Sequence, residues 1–223
     1  MNTQQNFEMA SNSAPFPSVS RLELNAKGPR ESIRIFKSPL LETFTHVHPI
    51  TPLLLWSPVV ALLVWRSWLT YQMGIFQIAG LMFSGLLCWS LLEYLLHRFV
   101  FHFQARGPIE ERIQFILHGL HHADPSDPTR LVMPPIVSIA LALIFYSVFR
   151  VLLGRVFVYP FFSAFVVGYL SYDYIHFSIH HFKPRTRIGK FLKKNHMLHH
   201  YHPKGARYGV SSPLWDSIFR SGS

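Results

Sequence analysis

One cysteine, Cys88, stands in the 223 residues, and acidic residues number only 11. A lone thiol excludes an internal disulfide and a cysteine-built zinc finger, and gives no sign of an oxidising compartment. It reads as a core thiol in an apolar helix. Charge of either sign is thin, at 14% of the chain against about 25% in an ordinary soluble protein. What charge there is sums to +10. It is not laid out as a helix stripe or an arm, and no nucleic-acid motif accompanies it, so nucleic-acid binding is set aside. Also missing are an internal repeat and any glycine-rich nicotinamide or flavin fingerprint.

The length is one domain's worth of chain. Residues 1–40 are polar, rich in Ser, Asn, Pro and Gln, and lack the early apolar core of a signal peptide. They are expected to form a partly disordered cytoplasmic lead-in, with residues 41–223 as the working domain. Residues Ile33–Thr45 read either as an interfacial segment or as a plain linker. Four long uncharged runs follow: Pro49–Trp65, Leu69–Leu92, Leu131–Phe149 and Val156–Tyr172. A bilayer calls for about 20 apolar residues per helix. Helices of a soluble bundle alternate polar and apolar faces, whereas these runs are apolar all round. The expected fold is therefore all-α and integral to a membrane. It has four transmembrane helices, at about 49–69, 72–96, 131–150 and 156–174 by the span length a bilayer needs. Short turns near Thr70–Met73 and Arg150–Arg155 pair the spans, and Pro134, Pro135 and Pro160 are expected to kink the third and fourth.

Histidine supplies what the sequence has in excess. Seven of its fourteen histidines fall between Tyr172 and His202. His176 and His180 are four apart, and His196, His199 and His200 follow H-x-x-H-H. The same spacing recurs at His118, His121 and His122, with His97 and His102 just upstream. Residues three and four apart share one helix face, so each set can aim two or three imidazoles at one spot. Imidazole suits iron, zinc, copper and nickel. A lone histidine at a membrane interface is ordinarily just a polar side chain; four clusters with repeated spacing are not. Ten such rings exceed the four to six positions of one ion, so two ions are expected. His97 and His102 are five apart, about 140° around an α-helix, so either they serve different ions or the helix ends between them. Glu93, one turn before His97, and Asp173, one turn before His176, are candidates to orient those rings by accepting the second N–H. A helix-end ion pair for Glu93, and capping or solvation for Asp173, are the plainer alternatives. His46, His48, His181 and His202 break the pattern and are set aside.

All the clusters lie at the same ends of the apolar runs. Of the 21 Lys and Arg, 18 fall on that side, and only Arg66, Arg150 and Arg155 do not. Cytoplasmic loops carry the excess of Lys and Arg. The fold is thus expected to carry a cytoplasmic, histidine-rich helical cap holding a dinuclear metal site, with both termini cytoplasmic. The membrane would be a bacterial inner membrane or the endoplasmic reticulum. The basic side also suits anionic lipid headgroups. A metal transporter would place His or Asp at mid-membrane depth, and the runs carry none.

The segments EYLLHRFVFH (Glu93–His102), FILHGLHHADPSD (Phe115–Asp127), GYLSYDYIHFSIHH (Gly168–His181) and NHMLHHYHPKGARYGVSSPLWDSIF (Asn195–Phe219) resemble the histidine signature of the membrane fatty acid hydroxylase and sterol desaturase superfamily. They are most similar to its fatty acid 2-hydroxylases, and the likeness runs from about Ile33 to the C-terminus. The resemblance implies metal ligation by His97, His102, His118, His121, His122, His176, His180, His196, His199 and His200. Iron is the implied working metal, with zinc as an alternative occupant. The implied reaction is hydroxylation next to the carbonyl of a lipid acyl chain, a fatty acid or sphingolipid, using O2 and two electrons. An unactivated C–H bond is beyond side-chain acid–base chemistry, which agrees with a redox metal. A related oxygenase acting on a sterol, carotenoid or alkane is the alternative. Many members carry a cytochrome b5-type haem domain; no stretch of this sequence resembles one. Electrons are therefore expected from a separate cytochrome b5- or ferredoxin-like donor.

Overall fold

The computed structural model describes residues 32–201 and 206–222. The expected polar lead-in up to residue 31, and His202, lie outside them. Every regular element among the described residues is helical: α1 (Pro39–Thr43), α2 (Thr51–Trp65), α3 (Ile75–Leu95), α4 (Pro108–Gln114), α5 (Leu120–Ala123), α6 (Pro135–His181), α7 (Arg187–Tyr201) and α8 (Leu214–Ile218). Three π-wound stretches extend or link them: Arg66–Thr70 after α2, Leu96–Phe101 after α3, and Phe115–Gly119 between α4 and α5. The chain divides into two compact units.

The apolar unit comprises Phe44–Glu93 and Pro128–Ser178. Three helical stretches are long and apolar enough to cross a membrane: Thr51–Thr70, Ile75–Phe101 and Pro135–His181. The last is interrupted at Gly154, whose φ of 79° and ψ of 178° are not helical; only glycine takes that conformation without strain. Phe145 meets Phe165 at 5.4 Å, Tyr146 meets Phe162 at 5.3 Å, and Phe149 meets Phe161 at 4.9 Å. A straight helix rises 1.5 Å per residue and would hold such pairs roughly 18–30 Å apart. The chain therefore doubles back at residues 154–155 as an antiparallel helical hairpin. Pro134 and Pro135 do not kink this hairpin, because Pro135 is the first residue of α6, where its missing N–H costs nothing.

Trp56, Trp89, Phe162, Phe165 and Tyr169 form the centre of this unit. Large apolar side chains also face outward, among them Phe76 at 91% and Val151 at 84% exposure. That inside-and-outside apolarity is what lipid solvates. Several polar groups inside the unit are paired: the Tyr174 hydroxyl donates to the Pro49 carbonyl (2.7 Å), the Trp56 indole to Ser138 (3.2 Å), and the Met133 N–H to Asp173 (3.3 Å). His46 takes Arg130 on Nε2 (2.8 Å) and donates from Nδ1 to Thr129 (2.7 Å).

Gly85 sets how closely α3 meets the second arm of the hairpin. A Cβ there would lie 2.1 Å from the Phe161 carbonyl oxygen and 3.2 Å from the Phe165 nitrogen. Both are backbone atoms, so only a shift of whole helices could make room. Gly80, on the same helix, has nothing within 4 Å of its would-be Cβ. Gly85→Ala is expected to cost roughly 1–3 kcal/mol, as overpacking does. Gly80→Ala should cost nothing, or gain up to about 1 kcal/mol in helix propensity. Thermal midpoints of the two variants in detergent check the contrast, and equal shifts would refute the close approach.

The second unit contains residues 32–43, Tyr94–Asp127 and Ile179–Ser223. Leu40 and Leu41 of α1 are exposed, and the Glu42 side chain accepts the N–H groups of Ile35 and Phe36 at 3.0 and 2.8 Å. This unit carries the buried His97, His118, His121, His196 and His199.

Candidate metal centre

Five imidazoles of the second unit, those of His97, His102, His118, His122 and His199, place one ring nitrogen each within 4.8 Å of all the others. The nitrogens of His121, His180, His196 and His200 are likewise within 4.8 Å of one another. His97, His118, His121, His196 and His199 are buried. The Nε2 atoms of His97 and His118 are 3.0 Å apart, as are those of His121 and His200, and those of His180 and His196 are 2.9 Å apart.

Helix winding decides which ring joins which group. In an α-helix His97 and His102 would diverge, but Leu96–Phe101 is π-wound, and its i→i+5 period stacks residues five apart on one face. The His102 N–H duly donates to the His97 carbonyl at 3.2 Å. Both histidines belong to the first group, and the helix closes just before His102. His118 and His122, four apart, join that group, while His121 between them turns to the second. The other H-x-x-H-H is the mirror of this: His196 and His200 serve the second group and His199 the first. Asp124, with φ of −137°, ends the helix after His122, as the Asp-Pro pair requires. His176 lies buried one turn before His180 on α6.

Two rings are held by backbone. His97 Nδ1 is 2.5 Å from the Tyr208 carbonyl and His199 Nδ1 is 2.7 Å from the Ala206 carbonyl. A carbonyl only accepts, so each Nδ1 carries the proton and each Nε2 keeps its lone pair. The expected partner of His97 was Glu93; the group that receives its N–H is Tyr208. Asp173, a candidate to steady His176, accepts the Met133 N–H. The segment from Ala206 to Gly209 is itself pinned. Asp216 accepts the N–H groups of Tyr208 (2.9 Å) and Gly209 (2.8 Å) and the Ser221 hydroxyl (2.8 Å). Asn195 donates to the Gly209 carbonyl (3.3 Å) and receives Arg207 (2.9 Å). None of these carbonyl partners leaves a mark in residue type, so the sequence does not announce them.

Burial, with neighbouring imidazoles adding to it, keeps these rings neutral. The His118 pKa lies well below its ordinary value, through burial and then His97 and His122. Burial and then His199 take His102 to about 3, and burial and then His180 take His200 to about 2. Burial takes His199 to about 4, although the Ala206 carbonyl opposes the shift. Near neutral pH all four present lone pairs rather than charges.

Does this arrangement fit metal? The His199 Nε2 is buried with no hydrogen-bond partner. Such an orphan costs free energy unless something fills its place, and four other ring nitrogens face the same point. Five imidazoles exceed the four ligands of a closed tetrahedral zinc site and leave one open position on a six-coordinate ion. The donor set fits a transition metal with a vacancy for substrate.

Comparison with known proteins gives a consistent likeness. A sequence family described as fatty acid hydroxylase matches residues 82–221. The chain is 34% identical over 192 residues to dihydroceramide fatty acyl 2-hydroxylase FAH2 of Arabidopsis thaliana, covering 85% of this chain and 79% of that protein. It is 38% identical over 194 residues to the ceramide very long chain fatty acid hydroxylase SCS7 of Saccharomyces cerevisiae, covering 82% of this chain and 47% of that protein. The chain thus spans about half the yeast relative. A solved structure, full-length scs7p with only its hydroxylase domain visible, superposes with a TM-score of 0.80 at 29% identity, covering 99% of this chain and 89% of that one.

Proposed function

Because this chain belongs to the fatty acid hydroxylase family, we propose that it is a membrane oxygenase placing a hydroxyl on C2 of lipid acyl chains, in sphingolipids or their fatty acid precursors. The single observation that carries the reading is the convergence of nine buried or half-buried imidazoles into two groups, in a chain whose relatives are named 2-hydroxylases. We assign His97, His102, His118, His122 and His199 to one ion. His121, His180, His196 and His200 go to the other, with His176 completing that set from one turn along α6. Iron is the metal proposed; zinc would fit the same donors. A redox-active ion supplies the activation of O2 that side chains cannot. Overall, one oxygen atom enters the C–H bond, and the other leaves as water with two electrons and two protons.

The protein's own part is legible in its residues. The Tyr208 and Ala206 carbonyls fix the tautomers of His97 and His199 and hold their Nε2 lone pairs inward. Burial keeps the rings unprotonated and excludes water, which would otherwise compete with an apolar chain. The hairpin of α6 folds back on itself, so each arm is proposed as one span and four spans in all. By the distribution of Lys and Arg, the termini and the histidines face the cytoplasm. Lys183, Arg185, Arg187, Lys190, Lys193 and Lys194 would there meet an acidic cytochrome b5- or ferredoxin-like donor.

The test is product analysis. Purified protein reconstituted in lipid with iron, O2 and a reductant should yield 2-hydroxy acyl chains by mass spectrometry. A double bond, a hydroxyl elsewhere on the chain, or a sterol product instead would reject the C2 assignment.

A further inference from the structure

We propose that Asp216 is a positioning residue that secures only the first of the two metal groups, by holding the backbone turn on which His97 and His199 are tethered. The proposal rests on the two-ion reading above.

The connection runs through explicit bonds. One carboxylate oxygen of Asp216 accepts the Tyr208 N–H at 2.9 Å, and the other accepts the Gly209 N–H at 2.8 Å. Between those amides and the metal group stands one peptide unit: the Tyr208 carbonyl receives His97 Nδ1 at 2.5 Å. Two residues earlier the Ala206 carbonyl receives His199 Nδ1 at 2.7 Å. The turn needs such a clamp. Arg207 sits at φ 61°, in the left-handed region, which a non-glycine residue adopts only against steric strain. Its N–H donates to the Ser221 carbonyl at 2.9 Å, and the Ser221 N–H donates back to the Asp216 carbonyl at 2.9 Å. Gly209 admits no side chain, since a Cβ would lie 2.1 Å from the Ser212 carbonyl oxygen. Asp216 is itself buried at 3% exposure, on α8, which has no histidine of its own. Its reach toward the metal groups therefore passes through the turn, and the turn tethers two rings of the first group.

A ring whose N–H partner is lost can rotate or adopt the other tautomer, which points a proton instead of a lone pair at the ion. Loss of such outer partners typically weakens metal binding 10–100-fold. In Asp216→Asn the side chain keeps one acceptor oxygen, while its NH2 confronts the other backbone N–H. The shape is preserved and one clamp is broken.

The experiment uses the full chain in detergent, loaded with Zn2+ and dialysed, with metal per chain read by plasma mass spectrometry. Wild type is expected to keep two equivalents and Asp216→Asn one, with the affinity of the lost equivalent down at least 10-fold. In metal-free protein with 15N-labelled histidine, the variant should also shift His97 from its Nδ1-protonated form toward mixed tautomers, which a merely structural role would not do. Ser221→Ala removes one of the carboxylate's three partners and should labilise the same single equivalent by a smaller factor. If Asp216→Asn yields no folded protein, Ser221→Ala carries the test. Loss of both equivalents together, or of neither, in whichever variant folds, overturns the proposal. A wild type that holds no metal instead sinks the two-ion reading beneath it.

Discussion

His199→Ala is expected to abolish the formation of 2-hydroxy acyl chains, with residual activity below about 1% of wild type, and to remove one metal equivalent per chain. His199 contributes a buried Nε2 with no hydrogen-bond partner, while its Nδ1 is fixed by the Ala206 carbonyl at 2.7 Å. Its ring lies 4.4 Å from that of His97, 4.7 Å from His102 and 5.1 Å from His122, centre to centre. Its ring nitrogen is one of five that lie within 4.8 Å of one another, so removing it takes a donor from the group. Loss of a residue that merely orients a ligand already costs 10–100-fold in affinity or activity; loss of the ligand itself should exceed that. The contrast residue is His46, which is engaged by Arg130 and Thr129 in the apolar unit and lies in neither group. His46→Ala should keep both metals. Lipid profiling of expressing cells, with metal analysis of the purified protein, separates the outcomes. A fully active His199→Ala protein would falsify the assignment of the first group.

The histidine spacings mark the candidate donors in the sequence itself, because imidazoles at i, i+3 and i+4 can converge only if the segment is helical. The partition between the two groups was not visible. His97 and His102 share a group because Leu96–Phe101 is π-wound, and nothing in LHRFVF distinguishes that winding from an α-turn. The long apolar runs were equally plain, yet the joint in α6 depends on one glycine, Gly154, not on Pro134, Pro135 or Pro160. A proline at the start of a helix fits it, and one inside a lipid-exposed helix can be absorbed by neighbouring groups. Glu93 stood at a suggestive spacing from His97, but spacing cannot compete with a carbonyl brought in from residue 208. Long-range backbone partners are set by the tertiary fold, and residue type does not encode them.

Removing the metal should turn the histidine unit from a stabilised element into one that fails on mild acidification. Each ion bound at about 1,000 times its dissociation constant adds about 4 kcal/mol to folding stability, so stripping two ions with a chelator forfeits about twice that. The metal-free protein is then left with buried rings whose pKa values sit below the ordinary 6.5: about 4 for His199, about 3 for His102 and about 2 for His200. The folded state keeps these rings neutral while the unfolded chain takes up protons below pH 6.5. Stability is therefore complete above that pH and falls as the pH drops, by about 1.4 kcal/mol per pH unit for each such ring. The slope flattens only when the folded-state values are reached, beginning near pH 4 with His199. Three rings acting together would take away about 3 kcal/mol between pH 6.5 and 5.5, a large share of a typical domain's 5–15 kcal/mol. Denaturation of chelated protein from pH 8 to 5 should show this decline, with the metal-loaded protein resisting it until protons displace the ions. A metal-free protein whose stability stays flat or rises over that range would mean that these imidazoles are not held neutral, and the case for buried lone pairs awaiting a metal would lapse.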